Sequence, residues 1–249
     1  MNNVKVFNLF MENLPSYTPN DKFLTFFENL NTGNHIIDWE GNKVINCMDI
    51  EMSPFLFLEA FTDSHINKFQ INYKNRCVID IGSNIGDTAL YFAREGAEVY
   101  GYEPVKQLYE YSLEIKELNS DIKNRLNFFN YGVSDKRGKI KIDSMDSTST
   151  YINSEDSYEI EVITIDDILK INNIEPDILK IDCEGCEFNI ILNSNLSEFN
   201  DIILEHHAIF VGKSYTLLTE KLKSEGFKFE ELSTINQDFD EIGLIHAYK

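Results

Sequence analysis

Positive charge is scarce in this chain. Its 249 residues carry 22 lysines and arginines against 42 aspartates and glutamates, a formal net charge of −20. Such a field repels polyanions, so nucleic acid is not an expected partner unless basic residues gather locally. They do not, because the four basic residues between Lys136 and Lys141 are flanked by acidic stretches on both sides. The same field disfavours a membrane surface. Long apolar runs are missing too: no segment approaches the ~18 residues that a membrane-spanning helix needs. Residues 1–14 lack a basic stretch ahead of an apolar one, so no signal peptide is expected and a cytoplasmic location is. Cysteine is sparse, at four, and an acidic cytosolic chain requires no disulfides. Cys183 and Cys186 do form a C-x-x-C, but no second cysteine or histidine pair stands at metal-ligand spacing. Two small buried packing residues are expected there, and no metal is assigned to them.

What is present is enough apolar material for a full core, 43% hydrophobic and 12% aromatic residues. Residues 1–75 and 76–249 differ in character. In the first region Phe23, Leu24, Phe26, Phe27 and Leu30 are spaced for an amphipathic helix. Residues 35–39 and 43–48 flank a Trp-Glu-Gly-Asn turn and read as a hairpin, and the aromatic-rich stretch 54–61 reads as a helix. No Pro/Gly/Ser-rich linker follows, so this region is expected to be a cap packed on the main domain.

From Arg76 onward, strands alternate with helices. Strands are expected at 77–81, 98–102, 126–131, 177–181, 201–204, 227–232 and 242–248, with helices at 88–94, 105–119, 188–192 and 215–224. That alternation predicts an α/β fold, a Rossmann-like three-layer sandwich around a mostly parallel seven-stranded sheet. Residues 139–143 and 159–165 alternate apolar and polar side chains and predict an inserted β-hairpin with a polar tip at 144–158.

Four places carry chemistry. The first is the strand-to-helix turn Val78-Ile-Asp-Ile-Gly-Ser-Asn-Ile-Gly-Asp87. A dinucleotide fingerprint needs glycine where Asn84 stands, so that a pyrophosphate can touch the backbone. A cofactor with an amino-acid group and a nucleoside suits the turn better. Asp80 could meet its ammonium, and the turn holding Gly82, Ser83, Asn84 and Gly86 could meet its carboxylate. The second is Glu103, which ends the next strand and could accept both ribose hydroxyls. The third is Lys180-Ile-Asp-Cys-Glu-Gly-Cys-Glu187, with Asp182, Glu184 and Glu187 crowded at a strand end. The fourth is Glu205-His-His207. Parallel neighbours would let Asp182, Glu184, Glu205 and His206 converge, while Glu187 and His207 read equally as site residues or as surface charge.

These residues resemble the FkbM family of S-adenosylmethionine-dependent methyltransferases. The resemblance rests on the glycine turn, on Tyr-Glu-Pro at 102–104, Gly-Val-Ser-Asp at 132–135 and Ile-Thr-Ile-Asp-Asp at 163–167. Above all it rests on the 180–187 element. It implies a seven-stranded sheet whose last strand is antiparallel, and S-adenosylmethionine as cofactor. Asp80, Gly82, Asn84 and Gly86 would hold the methionine part, Glu103 the ribose, Ser134 would lie near the adenine, and Asp182 would border both cofactor and acceptor. The implied acceptor is a hydroxyl of a sugar, glycoconjugate or other small molecule. His206 is then the candidate general base, with Asp182 or Glu184 as substitutes or as ligands of a divalent cation such as Mg²⁺. Two other classes stay open. An NAD(P)-dependent sugar-modifying oxidoreductase is opposed by Asn84 and by the absence of a Tyr-x-x-x-Lys pair after the fourth strand. A non-catalytic binding protein is opposed by the joint presence of Asp80, Glu103 and Asp182.

Overall fold

The computed structural model describes residues 36–39, 41–45, 66–142, 158–233 and 238–249. The expected helices around 23–30 and 54–61 and the polar hairpin tip lie outside them. Strands β1 (Ile36–Trp39) and β2 (Asn42–Ile45) pair antiparallel as the expected hairpin. Asn119 ties it to the main body: its Oδ1 accepts from the Lys43 N–H at 2.9 Å and its Nδ2 donates to the Lys43 carbonyl at 2.8 Å.

The main sheet follows from short β-branched runs, each stopped by a turn. It contains β3 (Cys77–Ile81), β4 (Glu98–Tyr102), β5 (Leu126–Phe129), β9 (Ile178–Ile181), β10 (Asp201–His207), β11 (Lys228–Ser233) and β12 (Ile242–Tyr248). Their order is β11-β12-β10-β9-β3-β4-β5. Neighbours from β10 to β5 are parallel, and β12 runs antiparallel to both β10 and β11. Alternate residues on each strand feed opposite cores. Val78, Val99 and Ile203 pack with α1 (Asp87–Arg94) and α2 (Lys106–Leu118). Ile79, Leu179, Ile202 and Ile245 pack with α3 (Ile165–Asn172), α4 (Glu187–Asn193) and α6 (Thr216–Ser224). The result is the Rossmann-like three-layer sandwich. Thr164 starts α3 with a reciprocal capping box to Asp167, a local signal fully written in the sequence.

Helix α3 was not expected, since the sequence reading carried a strand through Ile165, and two boundaries differ as well. The expected strand 126–131 stops at Phe129, and β6 (Gly132–Val133) joins β7 (Gly138–Ile142) and β8 (Tyr158–Ile163) in a separate three-stranded sheet, order β6-β8-β7. Strand β10 runs on to His207 because β12 pairs with its whole length, Glu205 opposite Leu244 and His207 opposite Ile242. Its parallel partner β9 stops opposite Leu204. A short helix, α5 (Ala208–Val211), follows at once. Among the described residues no helix is long and apolar enough to cross a membrane.

A charge clip closes the amino ends of the central strands. Arg76 donates to Asp177 at 2.5 Å and to Asp201 at 2.6 Å. His246 reaches Asp201 with Nε2 at 2.7 Å and Glu230 with Nδ1 at 2.9 Å. Burial alone would depress the His246 pKa, but the hydrogen bonds to Asp201 and Glu230 outweigh it and raise it above the ordinary 6.5. Folding thus favours the imidazolium. Its stabilising contribution is complete below about pH 6.5 and is lost as pH rises through the raised folded value. Urea unfolding across that range should show stability declining with pH in the native chain, and a shallower decline in His246→Gln.

Candidate active site

The crevice lies at the carboxyl ends of β4, β3, β9 and β10, where the strand order reverses from β3→β4→β5 to β9→β10. Open α/β sheets bind ligands at such a point. The turn after β3 is fixed from both sides. The N–H groups of Gly82 and Ser83 both donate to the Tyr102 carbonyl, at 3.0 and 3.1 Å. Gly82 has φ +75°, and a Cβ there would stand 1.8 Å from the Asp182 carbonyl oxygen. Only glycine lets the two loops meet. Asn84 also has positive φ, and its N–H donates to Glu103 Oε2 at 2.9 Å. Gly86 closes the turn, its N–H donating to the Ser83 carbonyl at 2.8 Å, just before α1.

Glu103 is buried at the end of β4. Its Oε1 accepts from the Val105 N–H at 2.9 Å, so each oxygen already holds one backbone donor. Burial pushes its pKa up to about 7, against those hydrogen bonds and the field of Lys180. Ser134 follows β6, its N–H on the Ile163 carbonyl at 2.9 Å. A cleft of about 620 Å³ opens beside the ends of β4 and β5, lined by Pro104, Lys106, Tyr109, residues 128–131 and residues 159–161.

Asp80 takes a different place from the one expected. It is fully buried, with Oδ1 3.0 Å from Lys180 Nζ and Oδ2 accepting from Thr88 Oγ1 at 2.9 Å. Lys180 Nζ also donates to the Gly82 carbonyl at 3.1 Å and lies 3.7 Å from Asp182 Oδ2. Burial would lower the Lys180 pKa, but Asp80 and Asp182 together raise it, so it stays an ammonium. Neither Lys180 nor Thr88 was singled out from the sequence. The available signal was a lone lysine in the apolar strand Ile178–Ile181, in register with Asp80.

After β9 the chain turns through Glu184 and Gly185, both at positive φ. That turn brings the Cα atoms of Cys183 and Cys186 to 5.4 Å and joins them as a disulfide. The expectation of two unbonded packing residues is therefore corrected. Glu187, fully buried, accepts from the Cys183 N–H at 2.9 Å and from His207 Nδ1 at 3.0 Å, both on Oε1. His207 Nε2 is 3.4 Å from Glu184 Oε2. Glu187 and His207 are thus a buried pair and not surface charge. Burial alone would lower the His207 pKa, but the Glu187 hydrogen bond and the carboxylates of Asp182, Glu187 and Glu184 push it up to about 10. Enclosure raises Asp182 to about 7, with Lys180 opposing and Glu205 adding to the shift.

His206 does not join this group, contrary to the expected convergence. Strand β10 continues through it, so adjacent side chains point to opposite faces. Its ring stacks on Tyr215 with centroids 5.2 Å apart and meets the edge of Phe239 at 5.1 Å. Among the described residues neither ring nitrogen has a hydrogen-bond partner. Burial, helped by the neighbouring His207 charge, lowers its pKa to about 4. The imidazole that faces Asp182 and Glu184 is His207.

Residues 80–229 match the profile of a family described as the methyltransferase FkbM domain. The chain belongs to that family. Among solved structures, this FkbM-family chain is similar to an FkbM methyltransferase from Methylobacillus flagellatus KT. The two are 16% identical at a TM-score of 0.55, over 75% of this chain and 47% of that one. The chain therefore spans about half the length of that relative. It is also similar to a protein described as a transferase from Pyrococcus horikoshii, 13% identical at a TM-score of 0.50, over 85% and 69% of the two chains. Both likenesses show the fold. No curated protein sequence matches the chain.

The Asp80–Lys180 pair joins the two loops of this fold, and its role can be tested by stability. Lys180→Met strands a fully buried carboxylate and should lower the unfolding free energy by about 3–5 kcal/mol. The double variant Asp80→Asn/Lys180→Met should recover a large part of that loss in guanidinium denaturation. Equal losses in single and double variants would mean that the pair is not the brace.

Proposed function

We propose that this chain transfers a methyl group from S-adenosylmethionine to a hydroxyl of a sugar, glycoconjugate or other small molecule. The observation that carries the reading is the buried Glu103 carboxylate at the end of β4, held against the glycine turn by the Asn84 N–H at 2.9 Å. Its two oxygens keep lone pairs for a pair of vicinal hydroxyls, as a ribose presents. The residues fit the cofactor on a second count. The side chain of Asn84 stands where a pyrophosphate would need bare backbone, which favours a nucleoside without phosphate.

When bound, S-adenosylmethionine supplies an electrophilic methyl group on a sulfonium. The chain's own part is to bind, align and accept a proton. Gly82, Ser83, Asn84 and Gly86 receive the methionine end, and Asp80 serves them indirectly by fixing Lys180 beneath the turn. Ser134 stands on the adenine side. Asp182 borders cofactor and acceptor, and with Glu184 it orients the acceptor hydroxyl in line with the methyl group and takes its proton. His206, enclosed by Tyr215 and Phe239, serves packing in this reading. Residues 76–249 form the methyltransferase domain, and residues 1–75 form the cap that selects the acceptor.

Calorimetry on the full chain tests the cofactor directly. S-adenosylmethionine should bind with micromolar affinity and NAD⁺ should not. Glu103→Ala should weaken the binding by about 10- to 100-fold, the worth of hydrogen bonds to a charged group. A folded native chain that binds NAD⁺ and ignores S-adenosylmethionine would sink the reading.

A further inference from the structure

Negative charge outweighs positive charge in the loop after β9. Lys180 lies 3.0 Å from Asp80 and 3.7 Å from Asp182. Among the described residues the other cationic side chain facing Asp182, Glu184 and Glu187 is His207. We propose that Asp182, Glu184 and His207 bind a single divalent transition-metal ion, and that Glu187 is the positioning residue that aims His207 at it.

The geometry carries this assignment on two separate points. One ligand atom from each of the three residues lies within 4.8 Å of the other two, and His207 Nε2 and Glu184 Oε2 are 3.4 Å apart. Ligands about 2.1 Å from a shared ion stand about 3.0 Å apart in cis positions and about 4.2 Å in trans, so small side-chain shifts close the site. The second point is the orientation of the imidazole. His207 is 5% exposed, and Nδ1 is held by Glu187 at 3.0 Å, which turns Nε2 toward the two carboxylates. A ligating histidine is ordinarily fixed in this way by a carboxylate on its other nitrogen. Glu187 is itself fully buried, and its Oε2 has no hydrogen-bond partner among the described residues, an arrangement that a cation close by would relieve.

The donor set selects the ion. Two carboxylates alone would suit Mg²⁺ or Ca²⁺, whereas an imidazole beside them favours first-row transition ions, Mn²⁺ through Zn²⁺. The side chains of Asp182 and Glu184 are 30% and 24% exposed, so the ion has a path in. It also keeps open positions for water or an acceptor oxygen. This assignment deepens the proposed reaction site, since with the ion bound Asp182 and Glu184 would act on the acceptor hydroxyl through it, but metal binding itself is read without cofactor or acceptor.

The experiment is Mn²⁺ titration of the chelator-treated full chain, followed by electron paramagnetic resonance at a salt concentration that screens the acidic surface. One tight site is expected, with a nitrogen coupling from His207 in the native protein. His207→Gln and Glu184→Gln should each weaken binding by at least about tenfold, and Glu187→Gln by about 10- to 100-fold. The exposed Glu220→Gln should leave it unchanged. Affinity unaltered in both His207→Gln and Glu184→Gln, checked as folded by thermal unfolding, would overturn the site. So would a bound signal without nitrogen coupling in the native chain, a readout that needs no variant to fold. Full displacement by equimolar Mg²⁺ would rule out the imidazole as a ligand.

Discussion

The site depends on a pair of opposite charges with almost no access to water. Asp80 and Lys180 are register partners on adjacent parallel strands, 3.0 Å apart and 0% and 4% exposed. Burying either alone would be prohibitive, and even the pair gains little net stability over a well-packed apolar substitute. What the pair supplies is position. The ammonium also takes the Gly82 carbonyl and lies beside Asp182, so one cation holds the start of both loops that face the crevice. The pair sits where the strand order reverses, which is where the fold leaves room for a ligand.

Around that pair, the glycine turn has little freedom left. Tyr102 takes two of its N–H groups on one carbonyl, Glu103 takes a third, and the Asp182 carbonyl fills the space where a Gly82 side chain would be. Strand β4 in turn is fixed to β5 by the Glu103 N–H on the Phe129 carbonyl at 3.1 Å. A ligand that reaches Glu103 therefore meets a surface set before it arrives. Preorganisation of this kind lowers the ordering cost of binding. It also explains why the acids of the site differ in role: Asp80 faces inward as a brace, whereas Asp182 and Glu184 remain partly exposed.

The sequence was most legible where a pattern repeats. Short apolar strands stopped by glycine or acid alternate with amphipathic helices, and that rhythm fixes the order of elements and the crevice that follows from it. The glycine turn was readable because its chemistry is local; the Thr164–Asp167 box is equally local, but the apolar–polar alternation of 159–165 masked it, and helix α3 was not expected. What was hidden depends on partners distant in the chain. Lys180 looked like part of a motif, and only the register with Asp80 shows that its charge is neutralised inside the sheet. The C-x-x-C closes because Glu184 and Gly185 turn with positive φ, a backbone fact that residue counting does not contain. Strand β10 appeared to end at the polar Glu205, since polarity is what a strand end shows when its pairing partner is unknown. Strand β12 carries the ladder on to His207.

That three-residue extension decides the chemistry of two adjacent imidazoles. Because successive side chains on a strand face opposite ways, His206 and His207 share a backbone but no environment. One is enclosed by Tyr215 and Phe239 with no hydrogen bond on either nitrogen from the described residues, and burial drives its pKa down to about 4. The other meets Glu187 and Glu184, and those carboxylates override burial to drive it up to about 10. The two effects reinforce each other, since the charge on His207 is itself a reason for His206 to stay neutral. With the charged imidazole of His207 turned toward the acids, the neutral His206 ring on the other face packs against Tyr215 and Phe239, which also contact each other at 4.9 Å. The carboxylate cluster and the aromatic core behind it are two consequences of one strand running three residues further than its parallel neighbour.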